Sequence, residues 1–503
     1  MRAKTVQINW HDKLPIFSVD FDHNYTAPPG LGGWRFATGG GDNNVRLWRL
    51  RPTQEREAAP QQPAVEFLAS LNRHTAPVNV VRFSPVSSTL ASAGDDGVVI
   101  LWRQQLGDGE SSARQAVLGA ESGAEDDGFV EPEVWRPVSM LRGSLADICD
   151  LAWSPDGNFL VSASVDNTAR IWDAREARCL QVLADHTHYV QGVVWDPLGE
   201  FVATQSSDRS LRVYRWVGPR DPREIKSGSP VVALMASHYS MPLPSQAGAK
   251  DGDEVEESAD SHSAAGESSA FAQPDIAGAA PNRSQRLFHD DNLASFFRRP
   301  SISPDGRLLA AAAGVQRDRA ARNTCYVWAR DSLLAPPALS LAGHQKPVVA
   351  TRWAPCQFAA IGHAGSRAPG WLAGAADAPG ARMMLAVASQ GAVAIYDTSM
   401  GGGAIGLMGG LHYAAITDLA WSQDGSHLVL TSIDGFATVA SIDQPSDSIA
   451  TSRPHVHEDP PLAVGVGREY PLELSNDAVS AQATCNGASK GKRRLAPTLV
   501  GHL

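Results

Sequence analysis

One motif recurs along the chain and limits the fold more than any other feature. Small residues lead into a turn that carries Asp, alternating apolar residues follow, and an aromatic closes the copy. ATGGGDNNVRLW ends at Trp48, ASAGDDGVVILW at Trp102, SASVDNTARIW at Trp172 and ATQSSDRSLRVY at Tyr214. Shorter copies end at Trp328 (NTCYVW) and Tyr396 (ASQGAVAIY), and TSIDGFATVA ends at Ala440. Ahead of each copy stands an apolar run that stops in a turn: VNVVRFSP, ICDLAWSPDG, VQGVVWDPLG, SFFRRPSISPDG, VVATRWAP and ITDLAWSQDG, with IFSVDFDHN in this part near the start. Pro fixes φ and Gly admits positive φ, so the Pro-Asp-Gly triplets reverse the chain between strands.

The spacing is that of propeller blades. Trp172 and Tyr214 lie 42 residues apart, and Tyr396 and Ala440 lie 44 apart. WD-repeat blades recur about every 40–45 residues. The other intervals, 54, 70, 114 and 68 residues, fit one blade plus an inserted loop. Seven strand–turn–strand units predict an all-β, seven-bladed WD-repeat β-propeller over residues 1–442. The alternating run VQINW, residues 6–10, is expected to supply the outer strand of the last blade and close the ring, which removes exposed sheet edges from the ring as a whole. The 45 Gly and 33 Pro favour such a turn-rich fold over a helical bundle.

The polar residues of the repeat invite a catalytic reading and resist it. His74, His186 and His412 each lie 28 residues before the closing position of their copy. Ser92 and Asp96 precede Trp102 as Thr204 and Asp208 precede Tyr214, and Asp166 precedes Trp172. A nucleophile is needed once, not in every blade. These side chains are expected to satisfy one another inside each blade. Gln390 in place of Asp, Tyr214 in place of Trp and the apolar Ala440 predict less rigid blades. Repeat tryptophans are expected in the core, while Trp34, Trp135, Trp216 and Trp371 fall near loops as candidate surface anchors. No Gly-rich phosphate loop, nucleophile elbow or metal-ligand cluster stands out. The reading is therefore no catalytic residue, no metal and no cofactor. His455 and His457 alone do not make a metal site.

Three stretches break the period: about 107–133, about 217–286 and about 357–382. The first carries Glu121, Glu125, Asp126, Asp127, Glu131 and Glu133, and the second carries Asp251, Asp253, Glu254, Glu256, Glu257 and Asp260. The acid-bearing composition reads as a solubilising loop, with a weak contact to a basic partner surface as the sharper alternative, while the third stretch is rich in Ala and Gly and carries no further signal. Periodicity stops near Ile442, so residues 443–503 are expected to be a flexible tail. That tail closes on a basic cluster and an apolar alternation, KGKRRLAPTLV at 490–500. It reads as an import signal or as a short motif for an acidic, grooved partner. Over the whole chain of 503 residues the net charge is −11, which argues against wrapping nucleic acid and favours basic partners. Five scattered Cys without C-x-x-C spacing fit a reducing compartment, and no apolar run is long enough to span a bilayer, so a soluble intracellular protein without membrane contact is expected.

With these segments in view, the chain resembles the middle WD-repeat subunit of chromatin assembly factor one. EFLASLNRHTAPVNVVRFSP, SASVDNTARIWD, YVQGVVWDPLGEFVATQSSDRSLRVY and above all FHDDNLASFFRRPSISPDG carry the resemblance. It implies a non-enzymatic nuclear scaffold, partnered by the large and small subunits of that factor, that helps deposit histones H3 and H4 on replicating DNA. Contact with the histones is expected to be indirect, and direct DNA binding is not expected. KRRLAPTL resembles the B-domain type of motif that binds the anti-silencing histone chaperone, with Lys492, Arg493, Arg494, Leu495, Pro497 and Leu499 on its pattern. His289, Asp290, Asp291, Phe296, Phe297, Arg298 and Arg299 form a candidate interface for the large subunit; local structural roles for them are equally open. The alternatives are a replication-independent HIRA-type regulator, which normally continues into a long second half, and a WD-repeat substrate receptor for ubiquitin ligation.

Overall fold

Each repeat unit forms one antiparallel four-stranded sheet, and seven such sheets are present among the described residues. The structure is a computed structural model that describes residues 1–27, 32–51, 64–105, 132–144, 146–242, 284–317, 321–359, 371 and 381–442. Blade one is built from Ile16–Phe21, Trp34–Gly40, Val45–Arg51 and Ala64–Leu71; blade two from Val78–Phe83, Leu90–Gly94, Val98–Gln104 and Trp135–Arg142. Ile148–Trp153, Phe159–Ser164, Ala169–Asp173 and Arg178–Leu183 form blade three. Blade four holds Val190–Trp195, Phe201–Ser206, Leu211–Trp216 and Val232–His238, and blade five Ser301–Ile302, Leu308–Arg317, Ala321–Ala329 and Leu339–His344. Val348–Trp353, Met384–Ser389, Ala392–Asp397 and Ala404–Gly409 make blade six. Blade seven joins Ile416–Trp421, His427–Ser432 and Ala437–Ser441 to Arg2–Val6 from the opposite end of the chain. The seven-bladed propeller expected from the repeat is the fold observed, with no α-helix among the described residues.

Burial explains the composition of the strands. Inner strands such as VNVVRF and FLVSAS are buried at every position, because a neighbouring blade covers each face. Outer strands such as RCLQVL are half-exposed. Seven apolar clusters form the core, one between each adjacent pair of blades. The cluster between blades seven and one sets Trp10, Phe36 and Trp48 against Val429 and Val439, so ring closure is hydrophobic as well as hydrogen-bonded. In the SPDG turn of blade three, Gly157 adopts φ +69° and donates to the Ser154 carbonyl at 3.0 Å. A side chain there would be strained.

Several boundaries differ from the expectation. The closing strand is Arg2–Val6, paired from Arg2↔Ser441 to Val6↔Ala437, not residues 6–10. Trp10 is instead fully buried, and its indole caps the Val6 carbonyl at 2.9 Å, because its large apolar surface turns the chain inward. The stretch 217–286 contains the outer strand of blade four, Val232–His238, and a short pair between Ser240–Pro242 and Ser284–Arg286. Glu133, assigned to the first insertion, is buried against Arg35. Within 357–382, Phe358–Ala359 pairs with Ala381–Arg382. The candidate anchors are packed between rings: Trp34 on His427, Trp216 on Trp195, Trp371 on Trp353, and Trp135 beneath the Arg35 guanidinium.

The innermost strands share one irregularity that positions the functional site. In six blades the register slips by one residue near the start of this strand. The skipped residues are Phe17, Asn79, Cys149, Gln191, Val349 and Thr417. A bulge takes a residue out of the ladder and leaves its carbonyl in want of a donor.

Candidate functional site

Within the blades, the repeated polar residues meet as closed sets. His74 shares hydrogen bonds with Asp96 through Nδ1 (2.8 Å) and with Ser92 through Nε2 (2.7 Å), while the Trp102 indole donates to Ser92 Oγ at 2.7 Å. His186 stands likewise between Asp208 (2.8 Å) and Thr204 (2.7 Å). Burial alone would raise the Asp208 carboxyl, but the hydrogen bond and charge of His186 hold it well below the usual carboxylate range. Tyr214, in the Trp position, sends its hydroxyl to Asp185 at 3.0 Å. His412 bridges Asp434 and Thr438 at 3.1 and 3.0 Å. Blade three has no His in its set: Asp166 pairs with Arg170 at 2.8 Å, Trp172 donates to Ser162 at 2.9 Å, and Ser144 bonds Ser164.

The sequence reading missed a complete set in blade one. His11 bonds Asp42 at 2.6 Å and Thr38 at 2.8 Å, and Trp48 donates to Thr38 at 2.8 Å. His11 lies 37 residues before Trp48 rather than 28, displaced by the PPGLGG run, which hid it. In blade two the Ser92 hydroxyl is buried and already engaged by both His74 and Trp102, an arrangement that holds a blade together and offers no approach to a substrate. Ser92→Ala should leave two buried groups unsatisfied and cost about 1–3 kcal/mol. Urea unfolding of the variant measures this directly. Among the described residues no His, Cys, Asp and Glu cluster could hold a metal.

The channel is filled by charge. Asp418 and Asp150, both fully buried, face the Arg82 guanidinium at 3.0 and 3.1 Å and Arg299 at 3.0 and 3.4 Å. Arg352 approaches Asp418 at 3.3 Å and Ser18 donates to it at 2.9 Å. Burial would raise the Asp418 carboxyl, but Arg299, Arg82 and Arg352 hold it well below the usual range. Burial draws Arg299 down to about 10, so it remains charged at neutral pH. Arg299 also donates to three bulge carbonyls: Phe17 (3.0 Å), Thr417 (3.0 Å) and Asn79 (2.8 Å). Its backbone N–H reaches a fourth, Val349, at 3.0 Å, and the neighbouring Arg298 N–H reaches Gln191.

Asp20 sits at the half-buried rim of this cluster, and burial raises its carboxyl to about 6 despite Arg82. Between the ordinary value of 3.8 and 6 the folded chain holds a proton that the unfolded chain has released. This group therefore lowers stability as pH rises through that window, and its cost is complete above it. Asp20→Asn should gain on the native chain between pH 4 and pH 7. Water at the rim screens part of the penalty, so the expected gain is about 1–2 kcal/mol. Denaturation midpoints of both chains across that range test it.

Residues 288–299 cross the channel mouth. Gln191 of blade four donates to the Ser295 and Phe296 carbonyls at 3.4 and 3.2 Å, and Gln390 of blade six to Ala294 at 2.7 Å. Gly192 makes this crossing feasible: a Cβ there would lie 1.9 Å from the Arg298 carbonyl oxygen. Phe297 is 4% exposed, lies beside Phe17, and stacks under the Arg299 guanidinium. Arg298 is buried and donates to the His289 and Asp290 carbonyls. Phe297, Arg298 and Arg299 are thus internal in this chain. His289 bonds Asn323 at 2.8 Å. The outward part is Asp290, paired with Arg209 at 3.0 Å, Asp291, 3.8 Å from His188, and Phe296, 36% exposed. The tail motif Lys492–Leu499 and the acid run at 251–260 lie outside the described residues.

A family model described as the CAF1B/HIR1 beta-propeller domain matches residues 1–233 and 264–446. A chromatin assembly factor 1 subunit of Gallus gallus, of the CAF1B type, is 35% identical over 91% of this chain and 70% of its own length. Its namesake in Saccharomyces cerevisiae is 32% identical over 99% of this chain and 100% of its own length. Protein HIR1 of Cryptococcus neoformans is 26% identical over 80% of this chain and 36% of its own length.

Proposed function

Since the chain belongs to the CAF1B/HIR1 family of chromatin assembly propellers, we propose that it is the scaffold subunit of a nuclear histone chaperone complex that deposits H3 and H4 on newly replicated DNA. The observation that carries this reading is the higher identity to the chromatin assembly factor 1 relatives, 31–35%, than to the HIR1 relatives, 25–26%. The propeller acts as a binding platform without catalysis. Asp290, Asp291 and Phe296 at the channel mouth hold the large subunit, and the small subunit joins the same complex. The segment Lys492–Leu499 recruits the anti-silencing histone chaperone, so histones reach the complex through that chaperone. A net charge of −11 argues against direct DNA contact.

This division of labour has a physical basis. A closed ring braced at its axis presents a preordered face, so binding orders little new structure. Tethering a chaperone-binding segment to the same chain raises the local concentration of the histone donor beside the large subunit. Co-purification tests the reading. Deleting 490–503 should abolish recovery of the histone chaperone and leave the large subunit bound. Asp290→Lys/Asp291→Lys should do the reverse. Loss of the large subunit on the tail deletion, or full retention in the folded double variant, would refute the assignment.

A further inference from the structure

The perimeter of blade two carries a pattern that neither the channel nor the tail explains. Its outer strand, Trp135–Arg142, is the last of its sheet and pairs on one side with Val98–Gln104. Alternate residues of the strand face outward: Arg136, Val138, Met140 and Arg142 are all exposed, Val138 at 52%. Arg103 stands directly opposite Arg136 in the ladder and is also exposed. Like charges directly opposite destabilise a sheet. Among the described residues no carboxylate pairs with Arg103, Arg136 or Arg142; the Arg142 guanidinium reaches only the Met140 thioether, at 3.7 Å.

Several arginines of the two adjoining blades are compensated. Arg49 and Arg51 of blade one share Glu66 at 3.2 and 2.8 Å, and Arg178 of blade three meets Glu176 at 3.3 Å. Among the described residues, blade two alone of these three leaves opposed cations without a carboxylate partner, in a chain whose net charge is −11.

We propose that this strand is a docking edge for an extended segment of a partner protein that carries two acidic residues six positions apart, with apolar residues at the two alternate positions between them. Arg136 and Arg142 lie six residues apart, about 20 Å along a strand. A segment laid beside them as an added strand would set carboxylates on the two arginine ends and an apolar side chain on Val138 and Met140 between them. Edge pairing supplies backbone hydrogen bonds, with none donated by Pro137, which has no N–H, and alternate side chains supply the selectivity. Carboxylates on Arg103 and Arg136 would also relieve their mutual repulsion. Nucleic acid fits less well, because a phosphate backbone would face Val138 and Met140 with polar oxygens. The site shares no residue with the channel mouth or the tail motif, and does not depend on either assignment.

The test is fluorescence anisotropy with the full chain and a labelled ten-residue peptide that carries Glu at positions 2 and 8, Val or Leu at positions 4 and 6, and Ser or Thr elsewhere, so that the four residues share one face of a strand. A counterpart with Lys at every acidic position and a 20-base-pair DNA duplex are the comparison probes. The acidic peptide should bind saturably, the Lys peptide should not, and Arg136→Glu and Val138→Lys should each weaken binding at least tenfold. Arg136→Glu should melt at or above the native temperature, since it sets Glu opposite Arg103, which separates lost binding from lost folding. Absence of saturable peptide binding, or binding unchanged in both variants, overturns the proposal. Duplex binding that needs Arg136 while the peptide fails to bind overturns it in favour of a phosphate site.

Discussion

Replacing Arg299 with Leu is expected to destabilise the propeller by about 3–5 kcal/mol, the usual cost of removing one partner from a buried ion cluster. The expectation rests on where this side chain sits. It enters from the segment that leads into blade five, yet it touches Asp150 of blade three, Asp418 of blade seven, and the bulge carbonyls of blades one, two and seven. Those carbonyls have left the strand ladder, so without Arg299 they would remain buried and lack their donor. Asp418 would lose the partner that does most to keep it ionised. Arg299→Lys keeps the charge but not the fork that reaches several acceptors, and should recover only part of the loss. Urea midpoints of the two variants measure both effects. A midpoint for Arg299→Leu within about 0.5 kcal/mol of the native chain, the range of an ordinary surface change, would show that the axis cluster does not brace the ring.

The second large effect is expected at the tail. Arg493→Ala/Arg494→Ala should weaken binding of a peptide covering 489–503 to the anti-silencing histone chaperone by at least a hundredfold. Hydrogen bonds to charged groups contribute about 1.5–3 kcal/mol each, and each 1.4 kcal/mol is a factor of ten in affinity. The apolar residues Leu495, Pro497 and Leu499 remain in this variant, so it isolates the charged contribution. Titration calorimetry reads the affinity of both peptides. An affinity unchanged by the double substitution would leave 490–494 as a nuclear-import signal, and the functional reading would then rest on the propeller.

The fold was legible because each blade repeats its own grammar. Turn triplets and closing positions recur, 42 to 44 residues apart where no stretch is inserted, so the copies reinforce one another. What was illegible lay where a blade departs from that spacing. His11 was hidden by the extra residues that separate it from Trp48 in the sequence, although its hydrogen bonds match those of His74. The strand Val232–His238 was hidden because the chain takes a detour through 217–231 before returning to blade four. The channel cluster was illegible for another reason. Its bulge carbonyls come from residues 17, 79 and 417, and only ring closure brings them to one guanidinium. A sequence shows Arg298 and Arg299 as two adjacent cations ahead of Pro300, which suits a surface as readily as a core. The structure puts both inside and leaves Asp290, Asp291 and Phe296 facing outward.

The most direct test of the scaffold account is a reconstituted deposition assay. The large and small subunits, the anti-silencing chaperone loaded with H3 and H4, and a replicating plasmid are combined with and without this chain, and supercoiling reports nucleosome formation. The account predicts deposition on replicated DNA only when the full chain is present, with loss on deletion of 490–503. Equal deposition when the chain is omitted would contradict it.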